Sequence, residues 1–427
     1  MKKAFIMGKL PLVLALVLAI SSFAGIAATA DQAQHQPITE QLITMVDHDY
    51  ALKQMLEESI ELAKQANPDP VTNPAQTLDD YYLYIDWASL AMPWNILSNL
   101  PYTKLYEQID QSIDYIYFIN DQPLKALEGK GYYNNSIQYI EPNRTWLIQF
   151  TKNWGEYLSM AVSWNDTYYQ LALADDRFGL NKVWYESPDN WKSFNDFFSR
   201  YLSSPDVRPI AFPDDASVVV APADSKPQGV WAIDENSNIV QKDGVLIKSE
   251  YFNSIPNLLG PGCAYQQAFA GGTLTHTFLD VNDYHRYHFP VGGTVMEVRI
   301  IPADDAAGGI TIWDATTGKY VLLDSTPGWQ TIETRGCVIV DTAEYGLVAV
   351  MPIGMSQVSS VNFEESVQVG AKVKKGDMMG TFLFGGSDIV MLFQKQVEFK
   401  MLDMPGMDNG TYEHMLMGEA YGQLTVK

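Results

Sequence analysis

Six histidines could serve acid–base chemistry, and only His285 and His288 lie close together, in Tyr284-His285-Arg286-Tyr287-His288. On a strand a spacing of three sends the two rings to opposite faces, whereas on a loop they can converge. A zinc site built on them lacks an identifiable third ligand, and the sequence has no HExxH, P-loop or strand-to-helix GxGxxG. A second stretch with chemical character is Phe384-Gly385-Gly386-Ser387-Asp388, followed by the apolar run Ile389 to Phe393. Two glycines allow unusual backbone angles and clear the approach of a hydroxyl to the Gly386 carbonyl. Such a hydroxyl needs a base, usually a histidine held by a carboxylate. Asp224, in Ala221-Pro222-Ala223-Asp224 directly after Val218-Val219-Val220, is a carboxylate of that kind. Taken singly, Gly-Gly-Ser is ordinarily a turn, an Asp after a strand a cap, and HxxH a pair of plain polar positions.

The elements that must position these residues divide by texture. From Ile38 to Trp191 the chain is helical and rich in aromatics. Leu52, Met55, Leu56, Leu62 and Ala63 fit one helix face that stops near Asn67-Pro68, and Thr77 with Asp80 predicts a cap before Tyr81 to Leu90. Trp146, Phe150, Trp154, Tyr157, Ala161, Trp164 and Tyr168 recur at spacings of three and four and predict a single amphipathic helix. Its aromatic stripe reads as core packing. After Arg200 the chain turns to short β-branched runs broken by Gly, Pro and Asp, the pattern of a β-rich domain. Val369 to Phe382 predicts a hairpin with a Lys-Lys-Gly-Asp turn. The expected fold is α+β. A helical domain over 31–190 precedes a β-rich, barrel-sandwich-like catalytic domain over 191–427.

Of the 427 residues, 28 are Lys or Arg and 51 Asp or Glu, a net charge of −23. So acidic a surface repels phosphate backbones and anionic headgroups, which argues against nucleic acid as a partner. Lys2, Lys3 and Lys9, the run Leu10 to Ile20 and Ala28-Thr29-Ala30 form the three-part pattern of a signal peptide over 1–30. The expectation is an exported protein, periplasmic or extracellular, or peripheral to a membrane. In that setting Cys263 and Cys337 are free to pair, although sequence alone does not give their separation.

Five segments, in order, resemble the phosphatidylserine decarboxylases, pyruvoyl-dependent enzymes that cleave themselves. WKSFNDFFSR (191–200) resembles their FNDFF-x-R segment, and VVVAPADS (218–225) their strand and PADG turn. DGVLIKSEYFNSIPNLLG (243–260) resembles a lysine-glycine-rich stretch ending in LLG. DYHRYHFPVGG (283–293) resembles YHR-x-H-x-P, and FGGSDIVMLF (384–393) the FGGST cleavage site. The resemblance implies cleavage between Gly386 and Ser387, with Ser387 becoming the pyruvoyl cofactor. Asp224 and His288 would activate the serine, Asp224 orienting His288, and His285 would serve decarboxylation through a Schiff base. The two chains so formed would stay associated, and a homo-oligomer is compatible with the family. The implied substrate carries a primary amine and an α-carboxylate, and no metal is implied.

Three departures bear on the reading. Asp388 stands where the family usually has Thr, PADG is PADS, and Ala303 to Thr334 replaces the family's VNP and NER segments. In addition, Thr334 to Ser360 resembles a soluble branch that decarboxylates free amino acids such as tryptophan. The leading expectation is conversion of phosphatidylserine to phosphatidylethanolamine in phospholipid biosynthesis. The alternatives are the same chemistry on a free L-amino acid, aromatic ones included, and an unprocessed binding relative without catalysis.

Overall fold

The computed structural model describes residues 35–98, 100–240, 250–303, 309–323, 325–355, 360–402 and 412–427. The expected leader, residues 243–249 of the lysine-glycine stretch and residues 356–359 lie outside them. Gln36–Lys427 forms one compact unit.

Its first half is helical: α1 (Pro37–His48), α2 (Tyr50–Ala66), α3 (Leu78–Ala88), α4 (Leu105–Asn120), α5 (Asn143–Leu158), α6 (Asp166–Leu173) and α7 (Phe194–Phe198). Caps follow the sequence signals. Asp49 accepts from the Leu52 amide at 3.0 Å, and Thr77 accepts from that of Asp80 at 3.2 Å. α2 ends at Ala66, as the Asn67-Pro68 pair predicts. The long aromatic helix does not run through. It stops at Leu158, and a separate helix starts after the Asn165 cap, whose side chain accepts from Tyr168 N–H. The Ser163 hydroxyl, bonded to the Leu158 and Met160 carbonyls, holds the break between them. The stripe is nevertheless core: Trp146, Phe150 and Trp154 are buried, and Trp164 stacks on Phe197 at 4.5 Å.

The second half carries two short helices, α8 (Glu250–Asn253) and α9 (Ile255–Leu259), among fifteen strands described. These begin with β1 (Val218–Val220), β2 (Lys226–Ala232), β3 (Thr273–Leu279), β4 (Arg286–His288) and β5 (Gly293–Ile301). There follow β6 (Ile310–Asp314), β7 (Lys319–Leu323), β8 (Thr334–Asp341), β9 (Leu347–Met355) and β10 (Asn362–Phe363). The last are β11 (Lys372–Val373), β12 (Met378–Thr381), β13 (Gly386–Phe393), β14 (Val397–Met401) and β15 (Ala420–Val426). The main sheet is antiparallel in the order β11-β5-β8-β9-β13-β3-β2. Smaller sheets are β1-β15-β14, β10-β12-β4 and β6-β7. The α+β expectation holds.

The predicted hairpin at Val369 to Phe382 is corrected. Its turn forms, with Asp377 N–H donating to the Lys374 carbonyl at 3.1 Å, but β11 pairs with β5 while β12 pairs with β4 and β10. Two strands joined by a tight turn can thus belong to different sheets when each finds a better edge elsewhere.

Two apolar cores form on β13. Ile389, Met391 and Phe393 join one with Leu279 and Val350, and Val390 and Leu392 join the other with Met351 and Ile353. Alternation along a strand buried on both faces produces this division. The helical core reaches the β-rich half through Val281, Tyr284, Tyr320 and Phe384. Gln111 of α4 clasps Tyr320, donating to its carbonyl at 2.9 Å and accepting from its amide at 2.7 Å. Cys263 and Cys337 are free thiols, buried and in side-chain contact.

Candidate active site

Ser387 is the second residue of β13, paired across the sheet with Leu279 and Gly354. Its Oγ is fully buried and has no hydrogen-bond partner. The turn before it needs glycine: Gly385 has φ +146°, in the region that side chains disfavour. α7 holds this turn in place. The Asn195 side chain accepts from Phe384 N–H at 3.0 Å and donates to Ser159 Oγ at 2.9 Å. The Phe384 ring packs against Trp154, Phe194 and Phe198. The FNDFF segment is therefore a bracket for the Gly385–Gly386 turn before Ser387, a role that its sequence alone did not reveal.

His288 ends β4, and its amide donates to the Pro222 carbonyl at 2.8 Å, which sets it beside the turn carrying Asp224. Its Nδ1 lies 2.8 Å from the Gly376 carbonyl. A carbonyl only accepts, so Nδ1 bears the proton and Nε2 is the basic nitrogen, 3.2 Å from the Tyr284 hydroxyl. Burial pushes the ring's pKa down to about 4 against the opposing pull of Asp224. His288 is thus a neutral base at physiological pH.

Asp224 does not orient it by a hydrogen bond, contrary to expectation. Both carboxylate oxygens accept from Arg208, at 3.0 and 2.6 Å, and Met417 N–H adds a third bond at 2.8 Å. A carboxylate this buried needs a matched cation, and the guanidinium fork supplies one. Asp224 reaches His288 through its field alone.

His285 lies just before β4. Its Nδ1 bonds the Asp283 carbonyl at 3.0 Å, and Nε2 is buried without a partner. The ring stacks on Phe198 at 3.7 Å, and burial, with Arg200 nearby, pushes its pKa well below the ordinary value. His285 and His288 therefore go to different partners and do not form a metal pair. Among the described residues, no cluster of three or more His, Cys, Asp or Glu side chains could hold a metal.

Asp388 faces the side of β13 opposite Ser387. His276 Nδ1 lies 2.9 Å from its Oδ2, and Gln330 Nε2 donates to the same oxygen at 2.8 Å. His276 pairs across the sheet with Val390, so it meets Asp388 on the diagonal, and Trp231 stacks on its ring at 4.9 Å. His276, Gln330 and Arg208 were not picked out by sequence reasoning. The only available signal was a histidine between two threonines, Thr275 and Thr277, in the short run that forms β3.

A cavity of about 330 Å³ lies beside the strands that flank β13. Its lining includes Phe278, Leu279 and Met355, the cross-strand partners of Asp388, Ser387 and Gly386. A larger cavity of about 580 Å³, lined by Tyr132, Phe252 and Arg335 among others, includes no residue paired with 386–388.

Comparison with known proteins bears on the same region. The family described as phosphatidylserine decarboxylase matches residues 194–423, which span Asp224, both histidines and Ser387. A phosphatidylserine decarboxylase proenzyme 2 from rice (Oryza sativa subsp. japonica) is 32% identical over 257 residues, 59% of this chain but only 37% of the rice protein. A phosphatidylserine decarboxylase proenzyme of Bordetella pertussis is 29% identical over 240 residues, 53% of this chain and 75% of that protein. A protein of Amanita muscaria named decarboxylase iboD is 28% identical over 270 residues, 57% of this chain and 75% of its own length. The match of the family over more than half of the chain, on the residues that build this site, establishes that the protein belongs to the phosphatidylserine decarboxylase family.

Proposed function

We propose that this chain is a self-processing decarboxylase that converts phosphatidylserine to phosphatidylethanolamine with a pyruvoyl group made from Ser387. The observation that carries the reading is the Ser387 hydroxyl, fully buried and without a partner after two glycines. A hydroxyl left unsatisfied in this way fits a nucleophile better than a structural residue. Ser387 Oγ attacks the Gly386 carbonyl, and the amide between them becomes an ester. His288, neutral with Nε2 unprotonated, takes the hydroxyl proton, and the Asp224 carboxylate favours the imidazolium that results. β-Elimination at residue 387 releases the Gly386 carboxylate as the new end of the larger chain and leaves dehydroalanine. Its imine tautomer adds one water and loses ammonia to give the pyruvoyl group at the head of the 387–427 chain.

That group supplies an electron sink for the bond to the departing carboxylate. His285, with Nδ1 committed to Asp283 and Nε2 free, handles the proton at the substrate carbon. Phe198 holds its ring by stacking at 3.7 Å. The two chains stay together because β13 lies between β9 and β3, and β15 between β1 and β14. The lysine-flanked apolar run before Ala30 supports action outside the cytoplasm.

A free α-amino acid is the second reading, favoured by the modest volume of the cavity lined by the cross-strand partners of residues 386–388. The first test is an intact-mass spectrum with and without phenylhydrazine. Two chains parting at Gly386/Ser387, with a hydrazone on the shorter, are expected. A single intact chain under folding conditions would overturn the reading in favour of a binding relative.

A further inference from the structure

Ahead of β15, the stretch from Met415 to Gly418 runs along the turn that carries Asp224. Met415 and Ser225 exchange backbone bonds at 2.8 and 2.9 Å, and Gly418 N–H donates to the Ala221 carbonyl at 3.0 Å. Between them, Met417 N–H donates to Asp224 itself. His414, one residue before this stretch, is thereby delivered to Asp283, its Nε2 2.7 Å from Oδ1. The proposed cleavage puts His414 on the 387–427 chain and Asp283 on the larger one.

Asp283 is a junction. Its carboxylate, 4% exposed, takes His414 on Oδ1 and the Asp280 amide on Oδ2 at 2.8 Å. Its carbonyl accepts from His285 Nδ1 at 3.0 Å and from Arg200 at 3.0 Å. A single residue therefore carries both the ring assigned to decarboxylation and a contact with the shorter chain. Burial raises the pKa of Asp283 to about 6, and the bond from His414 opposes the rise. At His414 desolvation works downward, but the bond to Asp283 and the carboxylates of Asp283, Asp224 and Asp280 outweigh it, so its pKa is raised. A carboxylate this buried needs a cation, and His414 supplies one.

We propose that His414 is a positioning residue for His285, contributed by the shorter chain. Without its donor the Asp283 carboxylate keeps one amide bond and must move toward water, and the carbonyl that orients His285 moves with it. Self-cleavage, which relies on Ser387 and His288, does not pass through this bond. The inference rests on the decarboxylase reading for the task of His285, but the bonds that hold the ring are independent of that reading.

The His414 side chain is 42% exposed, so substitution there leaves the apolar core intact. Two full-length variants test the role: His414→Leu, which removes the donor, and His414→Gln, which keeps an N–H within reach of Asp283. Both should split as the native chain does. With phosphatidylserine in detergent micelles, His414→Leu should lower kcat about ten-fold or more, the scale of one lost charged hydrogen bond. KM should change by less than about two-fold, and His414→Gln should recover most of the loss. A second readout needs no turnover. In the unsplit Ser387→Ala chain, the buried Nδ1–H of His285 should give a slowly exchanging proton resonance, assigned by its loss in His285→Ala. Adding His414→Leu should shift and broaden that resonance, and His414→Gln should return it. An unchanged kcat in His414→Leu would overturn the proposal, as would a resonance that does not move. A loss of kcat that His414→Gln fails to relieve would also overturn it, reducing the pair to a structural contact. If the native chain neither splits nor turns over, the decarboxylase reading falls instead, and the resonance alone decides whether His414 positions His285.

Discussion

Burying the Ser387 hydroxyl without a partner costs about 1–3 kcal/mol. Ser387→Ala should therefore leave the melting temperature equal or higher while abolishing chain splitting and hydrazone formation. A clear fall in melting temperature would show that the hydroxyl is structural. For His288 the sign of the pH effect follows from its depressed pKa of about 4. The ring is unprotonated and basic above that value. Splitting should be level from pH 6 to 8 and decline about ten-fold per unit below pH 4, as the base becomes protonated. His288→Ala should block or greatly slow splitting at every pH. His285→Ala should split normally yet lose turnover, and full turnover in that variant would remove His285 from the reaction.

At the scale of elements, α7 is the support of the turn before Ser387. Asn195→Ala removes the acceptor for Phe384 N–H and the donor to Ser159. It should lower stability by about 1–3 kcal/mol in urea titration and slow splitting. Asn195→Asp, which keeps an acceptor for Phe384, should split faster than the alanine variant; equal rates would show that the bond to Phe384 is immaterial. The same scale shows where the sequence was readable and where it was not. Cap residues at Asp49 and Thr77 act within one turn, so local composition announces them. The break between α5 and α6 depends on Ser163, whose hydroxyl also accepts from the distant Phe194 amide at 2.9 Å, and no periodicity contains that bond. Likewise, β11 and β12 separate because their partners, β5 and β4, are distant in sequence.

Over the whole molecule, the proposed cleavage between Gly386 and Ser387 would leave a 41-residue chain whose strands lie in two sheets. The fragment should stay with the larger chain in native mass spectrometry and part from it only in denaturant. Stability also has a pH signature. Asp121, at the end of α4, accepts from Gln138 and from Thr311 N–H of β6, yet burial raises its pKa to about 7. The folded protein thus holds a proton that the unfolded chain, with an ordinary value near 4, has released. This contribution is present at low pH and is lost as pH rises through about 7. Asp121→Asn should flatten the pH dependence of the urea midpoint between pH 5 and 8 relative to the parent, and identical slopes would refute the assignment.

The sequence by itself determined the fold class, the division into helical and β-rich halves and the family, through five ordered segments whose short-range spacing is their signature. It also singled out Ser387, Asp224, His285 and His288 by type and order. Tertiary structure decided which atoms meet. The partner of Asp224 is Arg208 and not His288, and Asp388 closes on His276, because a buried charge takes the nearest cation or donor that folding delivers, irrespective of distance along the chain. The cavity wall from α4 was equally invisible, since nothing in residues 105–120 announces that they will stand over strands nearly two hundred residues away.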